Sequence, residues 1–450
     1  MATYQVNNIS EFNALSPSSG DIIEFNSASD YFRLTTSIVC VDGVTYKSFG
    51  DSKAIIVASI NENTIGDWAD QGGNIWLNSD ANFTSGMGNI VADGTPLIWV
   101  ENEGDLSEQG EYWFDRVNSQ IKVYSVGNPA TVYSILECCL TIDIFDGTPS
   151  NVIIENLELK YGAKHGIGFD DTNYCTIKNN TISYIGGGLL NLGGGTYQRY
   201  GNAIEIFGSS NSNIIEKNII YEIYDVALTI QTSNAEQVTD TYIQNNISYN
   251  CGIYGWEMFY DNVGCSIDGL YIYNNTFINC SAGGWAKNQY FANAYGGGIG
   301  LYSIKGTVNN YIIKNNLVFS DETDITATHK ARCLFTGGAG IPDEDIVFDN
   351  NLYYRADGEM IYFEGATYTS AQFSDYQTAK SQDANSISAD PLLTSDYMLK
   401  AGSPCLGTGT NVGVTKDYRG YGRKTTPDIG AYEYVSGIRN ATLKNCTIGS

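Results

Sequence analysis

Two strand-like phrases, NAIEIFG (202–208) and YGWEMFY (254–260), each carry one acidic residue at the equivalent position, Glu205 and Glu257. Each acid lies between two apolar residues, so strand alternation sends it outward from the side that buries its neighbours. A third phrase of the same kind, VALTIQT (226–232), stands between them in the chain. If the three stack as successive rungs, the acids share a column two rungs apart, with ~9.5 Å between their backbones. A carboxyl pair at that spacing can act as general acid and general base across a water molecule. That is the arrangement of inverting glycosidic-bond hydrolysis, and it is too wide for a retaining pair. Asp170 and Asp225 are reserve acids, the latter in the turn before its strand. The competing reading is that all four are ordinary solvated carboxylates on an acidic chain.

The same alignment supplies the acids with neighbours. The inward pairs are Ile167/Phe169, Ile204/Ile206, Leu228/Ile230, Trp256/Met258 and Ile299/Leu301. Alternation then expects three outward columns. The first is a small-residue floor of Gly166, Ala203, Ala227, Gly255 and Gly298, and the second is Gly168, Glu205, Thr229, Glu257 and Gly300. The third is Asp170, Phe207, Gln231, Phe259 and Tyr302. Sugar rings pack on aromatic faces and bond to amides and carboxylates, so Phe207, Gln231, Phe259 and Tyr302 are candidate substrate-binding residues. Two long Gly-rich loops, 186–201 and 281–298, enter just before these strands and are expected to wall the groove with Arg199, Trp285, Lys287 and Tyr290. Packing against a neighbouring subunit would explain such loops equally well. His165 beside Asp170 and Asp171 is most simply a structural turn histidine. The basic run His329-Lys330-Ala331-Arg332 is most simply surface charge.

A repeat must position these strands. IIENLEL (153–159), TIKNNTI (176–182), IIEKNII (214–220), YIQNNIS (242–248), YIYNNTF (271–277), YIIKNNLVF (311–319) and IVFDNNLYY (346–354) are one phrase recurring. Asn156, Asn179, Lys217, Asn245, Asn274, Asn315 and Asn350 mark its register, with gaps of 23, 38, 28, 29, 41 and 35 residues. A coil of little over twenty residues cannot bury its Ile, Leu and Val alone, but stacked coils can. Asn suits the shared turn because its amide can bond to the same group above and below, and because it tolerates a left-handed backbone. The fold expected is all-β, a right-handed parallel β-helix (solenoid). Residues 1–140 would hold an N-terminal capping helix (EFNALS, N-capped by Ser10), early coils and an aromatic-rich insertion. That insertion carries Trp68, Trp76, Trp99 and Trp113 and ends in a hairpin. Residues 141–365 would be the central β-helix and 366–434 the segment that ends it, while 435–450 read equally as a tail or a further coil.

Bulk composition agrees. Gly (49) and Tyr (33) are abundant while charged residues make up 16%, a mixture that disfavours long helices. The net charge of −26 argues against nucleic acid or an anionic membrane as partner. No run approaches a membrane span. Ten Cys without a C-x-x-C pair, and only two His, argue for buried thiols and against a structural zinc, so no metal or cofactor is expected. The N-terminus has neither a basic nor an apolar leader region, so the chain is expected either to stay in a cytoplasm or to have lost its signal.

Three stretches carry a resemblance. GDIIEF…DGVTYKSFGDSKAIIVAS resembles the opening coils of the pectate-lyase-like right-handed β-helix superfamily. RYGNAIEIFG…NIIEKNIIYEIYDVALTIQ resembles its central coils, and SPCLGTGTNVGVTKDYRGYGRKTTPDIGAYEY its terminal segment. The resemblance implies the fold and a polysaccharide partner, but not a reaction, since the superfamily includes lyases, hydrolases, adhesins and phage tailspikes. Its lyases use Ca²⁺-binding Asp clusters and an Arg or Lys base, and no such base stands on the strands aligned above. The expectation is a tailspike- or tail-fibre-like protein, homotrimeric and virion-associated or extracellular, that binds a bacterial surface polysaccharide and could also cleave it. The alternatives are a secreted lyase or hydrolase whose signal has been removed, and a non-enzymatic adhesin or virion component.

Overall fold

In the computed structural model, residues 1–436 are described except 80–82, 85, 194–195, 282–283, 289–295, 325–328 and 338–344. Residues 437–450, where a tail or further coil was in question, and Tyr290 lie outside the described residues.

The chain winds as a right-handed parallel β-helix with three strands per coil. The recurring phrase spans a corner. Its first half forms one face, as in Ile214–Glu216, and its second half forms strands of a nine-stranded parallel sheet, as in Ile219–Ile223. The third face stacks Phe145–Gly147, Ile167–Asn173, Ile204–Asn211, Val226–Thr232, Tyr254–Tyr260, Gly297–Ile304, Leu334–Thr336 and Ile361–Phe363 in parallel register. The inward pairs are 0–1% exposed, as alternation requires.

The Asn-Asn corner divides its two jobs between the two residues. The first member takes the left-handed backbone, with φ between 53° and 59° at Asn156, Asn179, Lys217, Asn245, Asn274, Asn315 and Asn350. The second member builds a buried ladder of Asn180, Asn218, Asn246, Asn275, Asn316 and Asn351. In it each side-chain oxygen from Asn218 onward accepts the backbone N–H of the Asn one coil earlier, at 2.9–3.1 Å, and that of Asn180 accepts the Leu157 N–H.

A long insertion interrupts the solenoid near its start. Ile38–Val39, Thr45–Phe49 and Ala54–Val57 stack directly on the strands Phe145–Gly147, Ile153–Glu155 and Leu157–Gly162. The intervening residues therefore form an insertion. It contains a five-stranded and a four-stranded sheet around its own core of Trp68, Met87, Ile90, Tyr112, Phe114 and Ile121, and includes the expected hairpin Glu111–Asp115/Gln120–Tyr124. The capping helix is Ile9–Asn13. Its cap is Asn8 rather than Ser10: the Asn8 side chain accepts the Glu11 N–H, and Ser10 lies inside the first turn. At the other end the helix Phe373–Lys380 presses Phe373 and Tyr376 onto the core. The chain then runs back along the corner, where Asn245, Asn274 and Asn315 donate to the carbonyls of Lys416, Gly430 and Thr410. The nine described cysteines are free thiols.

Candidate functional site

The register places Glu205 opposite Thr229, and Thr229 opposite Glu257. The acids therefore share a column two rungs apart, ~9.5 Å between backbones. The column continues through Gly168 and Asp146 on one side and through Gly300, Phe335 and Tyr362 on the other. Gly300 is required there: a Cβ would stand 2.3 Å from the Tyr254 ring, which lies over it.

Both glutamates are held by neighbours. Asn202 Nδ2 donates to Glu205 Oε2 (2.5 Å), while Thr229 Oγ1 (3.1 Å) and Gln231 Nε2 (3.0 Å) donate to Glu257 Oε2. His165 also serves Glu205. Its Nδ1 accepts the Asn202 N–H at 3.0 Å, so in the neutral ring the proton sits on Nε2, 3.4 Å from Glu205 Oε1. Burial drives the His165 pKa down to about 4, which keeps the ring neutral at ordinary pH. The histidine is thus part of the site, through Glu205 rather than through Asp170.

The electrostatics of the acids differ from those of solvated carboxylates. Burial is the first cause in each case. It pushes Glu205 up to about 7, against the Asn202 bond and the Lys164 charge. It pushes Glu257 up to about 7 as well, against the Thr229 bond and with the charge of Glu205 adding to the rise. Asp225 stands on the rung between them. Burial and the charges of Glu257 and Glu205 hold its carboxyl far above the usual range, although it accepts the Gly201 N–H. Asp170 is exposed and rises less, through partial burial and then Asp146. Burial and the charges of the neighbouring acids push all three carboxyls in the same direction, toward holding their protons.

The third column holds over four rungs, Asp170–Phe207–Gln231–Phe259. It then shifts: a bulge between Met258 and Phe259 sets Phe259 opposite Ser303 instead of Tyr302. Tyr302 nonetheless meets the Phe259 ring at 5.5 Å, and Phe207 (38%) and Tyr302 (37%) offer exposed ring faces.

The first column is corrected. Ala203 and Ala227 belong to the buried core, and a Cβ on Gly255 or Gly298 would meet Phe277 at 2.5 Å or Val318 at 2.2 Å. These positions are small because the chain turns a corner there and two consecutive residues face inward. There is no small-residue floor.

The loop residues are corrected too. Arg199, at 2% exposure, lies beneath the hairpin Gly188–Gly193/Thr196–Tyr200. There it donates to the carbonyls of Gly187 (2.9 Å) and Gly88 (3.2 Å) and sits over the Trp99, Tyr224 and Trp285 rings. It clamps the insertion to the solenoid. Trp285 is buried against Tyr224 and donates its ring N–H to the Glu222 carbonyl, and Lys287 is paired with Glu322. The run 329–332 is not loose surface charge: His329 and Arg332 are buried, Lys330 pairs with Asp324 and Arg332 with Glu359.

Sequence reasoning missed Asn202, Tyr254 and Lys164. Nothing in the strand pattern marks them, since each acts from a corner of the coil. A separate open depression of about 300 Å³, between Phe319, Asp390, Tyr397 and Lys400, lies where the nine-stranded sheet meets the returning C-terminal segment. None of the three coupled carboxyls lines it.

No protein-family model matches the chain, and neither does any curated protein sequence. Solved structures with a similar course include a glycoside hydrolase (9% identity, 77% of this chain and 87% of that one, TM-score 0.44). An alginate lyase from Paenibacillus sp. is 13% identical over 81% and 90% of the two chains, with a TM-score of 0.37. Pectate lyase Pel9A is 11% identical over 96% of each, with a TM-score of 0.34. The chain has a parallel β-helix fold. Any assignment of chemistry to this β-helix rests on its own side chains.

Proposed function

We propose that this β-helix binds a polysaccharide along the face of Glu205 and Glu257 and hydrolyses a glycosidic bond between them with inversion. One observation carries the reading: two carboxyls, both raised to about 7, stand in one column two rungs apart beside the exposed rings of Phe207 and Tyr302. At neutral pH one carboxyl of the pair holds a proton to give to the leaving oxygen. The other, ionised, takes a proton from a water attacking the anomeric carbon from the opposite side. Asp225, on the rung between them, keeps a proton in the cluster through burial and the charges of both glutamates. Phe207, Phe259 and Tyr302 supply stacking faces, and Gln231 a hydrogen-bonding amide already turned toward Glu257.

Hydrolysis is preferred to elimination because the cations near the acids are already paired. Lys164 meets Asp143 at 2.5 Å and Arg332 meets Glu359 at 2.6 Å, so neither is poised as a lyase base. The test is incubation with a panel of purified bacterial polysaccharides, reading new reducing ends against unsaturated products. Glu205→Gln and Glu257→Gln are each expected to lower the rate by about 10²–10⁴-fold. Unchanged cleavage in either would remove that residue from catalysis. Retention of anomeric configuration would move the pair to Asp225 and one glutamate, since a single rung is ~4.8 Å.

A further inference from the structure

Beyond the acids, two buried donors on the Glu257 side have no partner. Tyr254 Oη and Arg332 Nη1 are both shielded from solvent and make no hydrogen bond among the described residues. Buried polar groups are nearly always paired, so two such orphans beside a candidate site call for an explanation. They belong to one neighbourhood. Tyr254 and Arg332 stand in one column with Gly297 between them, and the charges of Glu257, Arg332 and Asp225 all act on the Tyr254 hydroxyl. The Arg332 guanidinium lies over the Phe335 and Tyr362 rings, 5.7 and 5.2 Å from their centres, and these rings continue the column of Glu205 and Glu257. Its charge is already matched, because Nε and Nη2 both donate to Glu359 (3.1 and 2.6 Å).

The rest of the groove has the same sign. Asp170 and Asp146 add negative charge beside the proton-sharing cluster of Glu205, Asp225 and Glu257, while Lys164 is neutralised by Asp143 and Lys305 by Asp261. An anionic chain laid here would meet uncompensated negative charge in a partly desolvated cleft. What fits is an uncharged sugar whose oxygens accept from Tyr254 and Arg332.

We infer that the groove takes an uncharged glycan, excluding uronate, sulfate and phosphate chains, and that Tyr254 and Arg332 donate hydrogen bonds to the sugar seated beside Glu257. This rests on the proposed function for the location of the groove, but not on cleavage. The experiment is affinity electrophoresis of the wild-type protein in gels containing neutral glucans and galactans, each paired with the same polymer oxidised at C6 to its uronate. Retardation by a neutral polymer is expected, weakened at least tenfold on oxidation at low salt and partly restored at high salt. Equal or tighter retention by the uronate form would overturn the inference. Neutral binding without any new reducing ends would leave it standing and sink the hydrolase reading instead. Binding to neither form would sink both. Tyr254→Phe, which keeps the ring over Gly300, is expected to weaken neutral binding about 5–10-fold with an unchanged circular dichroism spectrum. An unchanged affinity in that variant would remove Tyr254 from the subsite.

Discussion

If the acids act as a pair, removing one charge must be felt by the other. The perturbation is Glu205→Gln, which keeps the shape of the side chain and its bond to Asn202 while deleting the negative charge. Glu257 titrates at about 7, raised first by burial and then further by the charge of Glu205. Across the ~9.5 Å between their backbones, at an effective dielectric constant of about 20, two unit charges interact by ~1.7 kcal/mol. That is ~1.3 pKa units at 1.36 kcal/mol each. The acids can adjust their side chains and share protons with Asp225, so the expected fall in the Glu257 value is about one unit. The assay is carbon-13 NMR of protein labelled at the Glu carboxyls, titrated from pH 4 to 9, which needs no substrate. The wild type should show two glutamates titrating near neutrality, and Glu205→Gln should show one, at lower pH. If the remaining glutamate does not move, or none titrates above pH 6 in the wild type, the coupled-pair reasoning fails.

The same shifts set a stability profile. A carboxyl raised from 4.5 to about 7 contributes stability that is complete below its unfolded value and lost as pH climbs through its folded one. Each glutamate therefore costs up to about 3 kcal/mol by pH 8. Glu257→Gln should melt with the wild type at pH 4.5 and several degrees above it at pH 8, as read by calorimetry. His165 and His329, lowered to about 4, lose stability in the opposite direction as pH falls, so the difference between variants is the clean readout. Away from the site, Asn246→Ala breaks the ladder at its middle. It strands the Asn218 N–H and the Ile215 carbonyl, both bonded to that side chain, and should destabilise by about 2–5 kcal/mol in chemical denaturation. A loss below 1 kcal/mol would mean that the ladder organises the corner without stabilising it.

Much of this was legible in the chain because a solenoid repeats its local rules. Every coil must place alternating apolar residues inward, so the inward pairs from Ile167/Phe169 to Ile299/Leu301 follow from the sequence alone. Once they were, the column of Glu205, Thr229 and Glu257 followed from the period of two. The Asn-Asn corner was legible for the same reason, though only coordinates separate the left-handed Asn179 from the laddered Asn180. Alternation failed where the backbone leaves the strand. At the corner, Ala203 and Ala227 turn inward beside residues already inward, and after Met258 a bulge moves Ser303 into the place expected for Tyr302.

The sequence by itself determined the repeat, the buried side of each strand and the column that carries the acids, since each follows from short-range periodicity. Only the tertiary structure decided what surrounds those acids. His165, Asn202, Asp225 and Tyr254 reach the site from corners whose direction depends on how coils stack, and Arg199 is drawn away from it by an insertion contacting a distant hairpin. Burial, which lifts both glutamates toward neutrality, is likewise a property of the stacked coils together, because no single strand can exclude water from its own side chains.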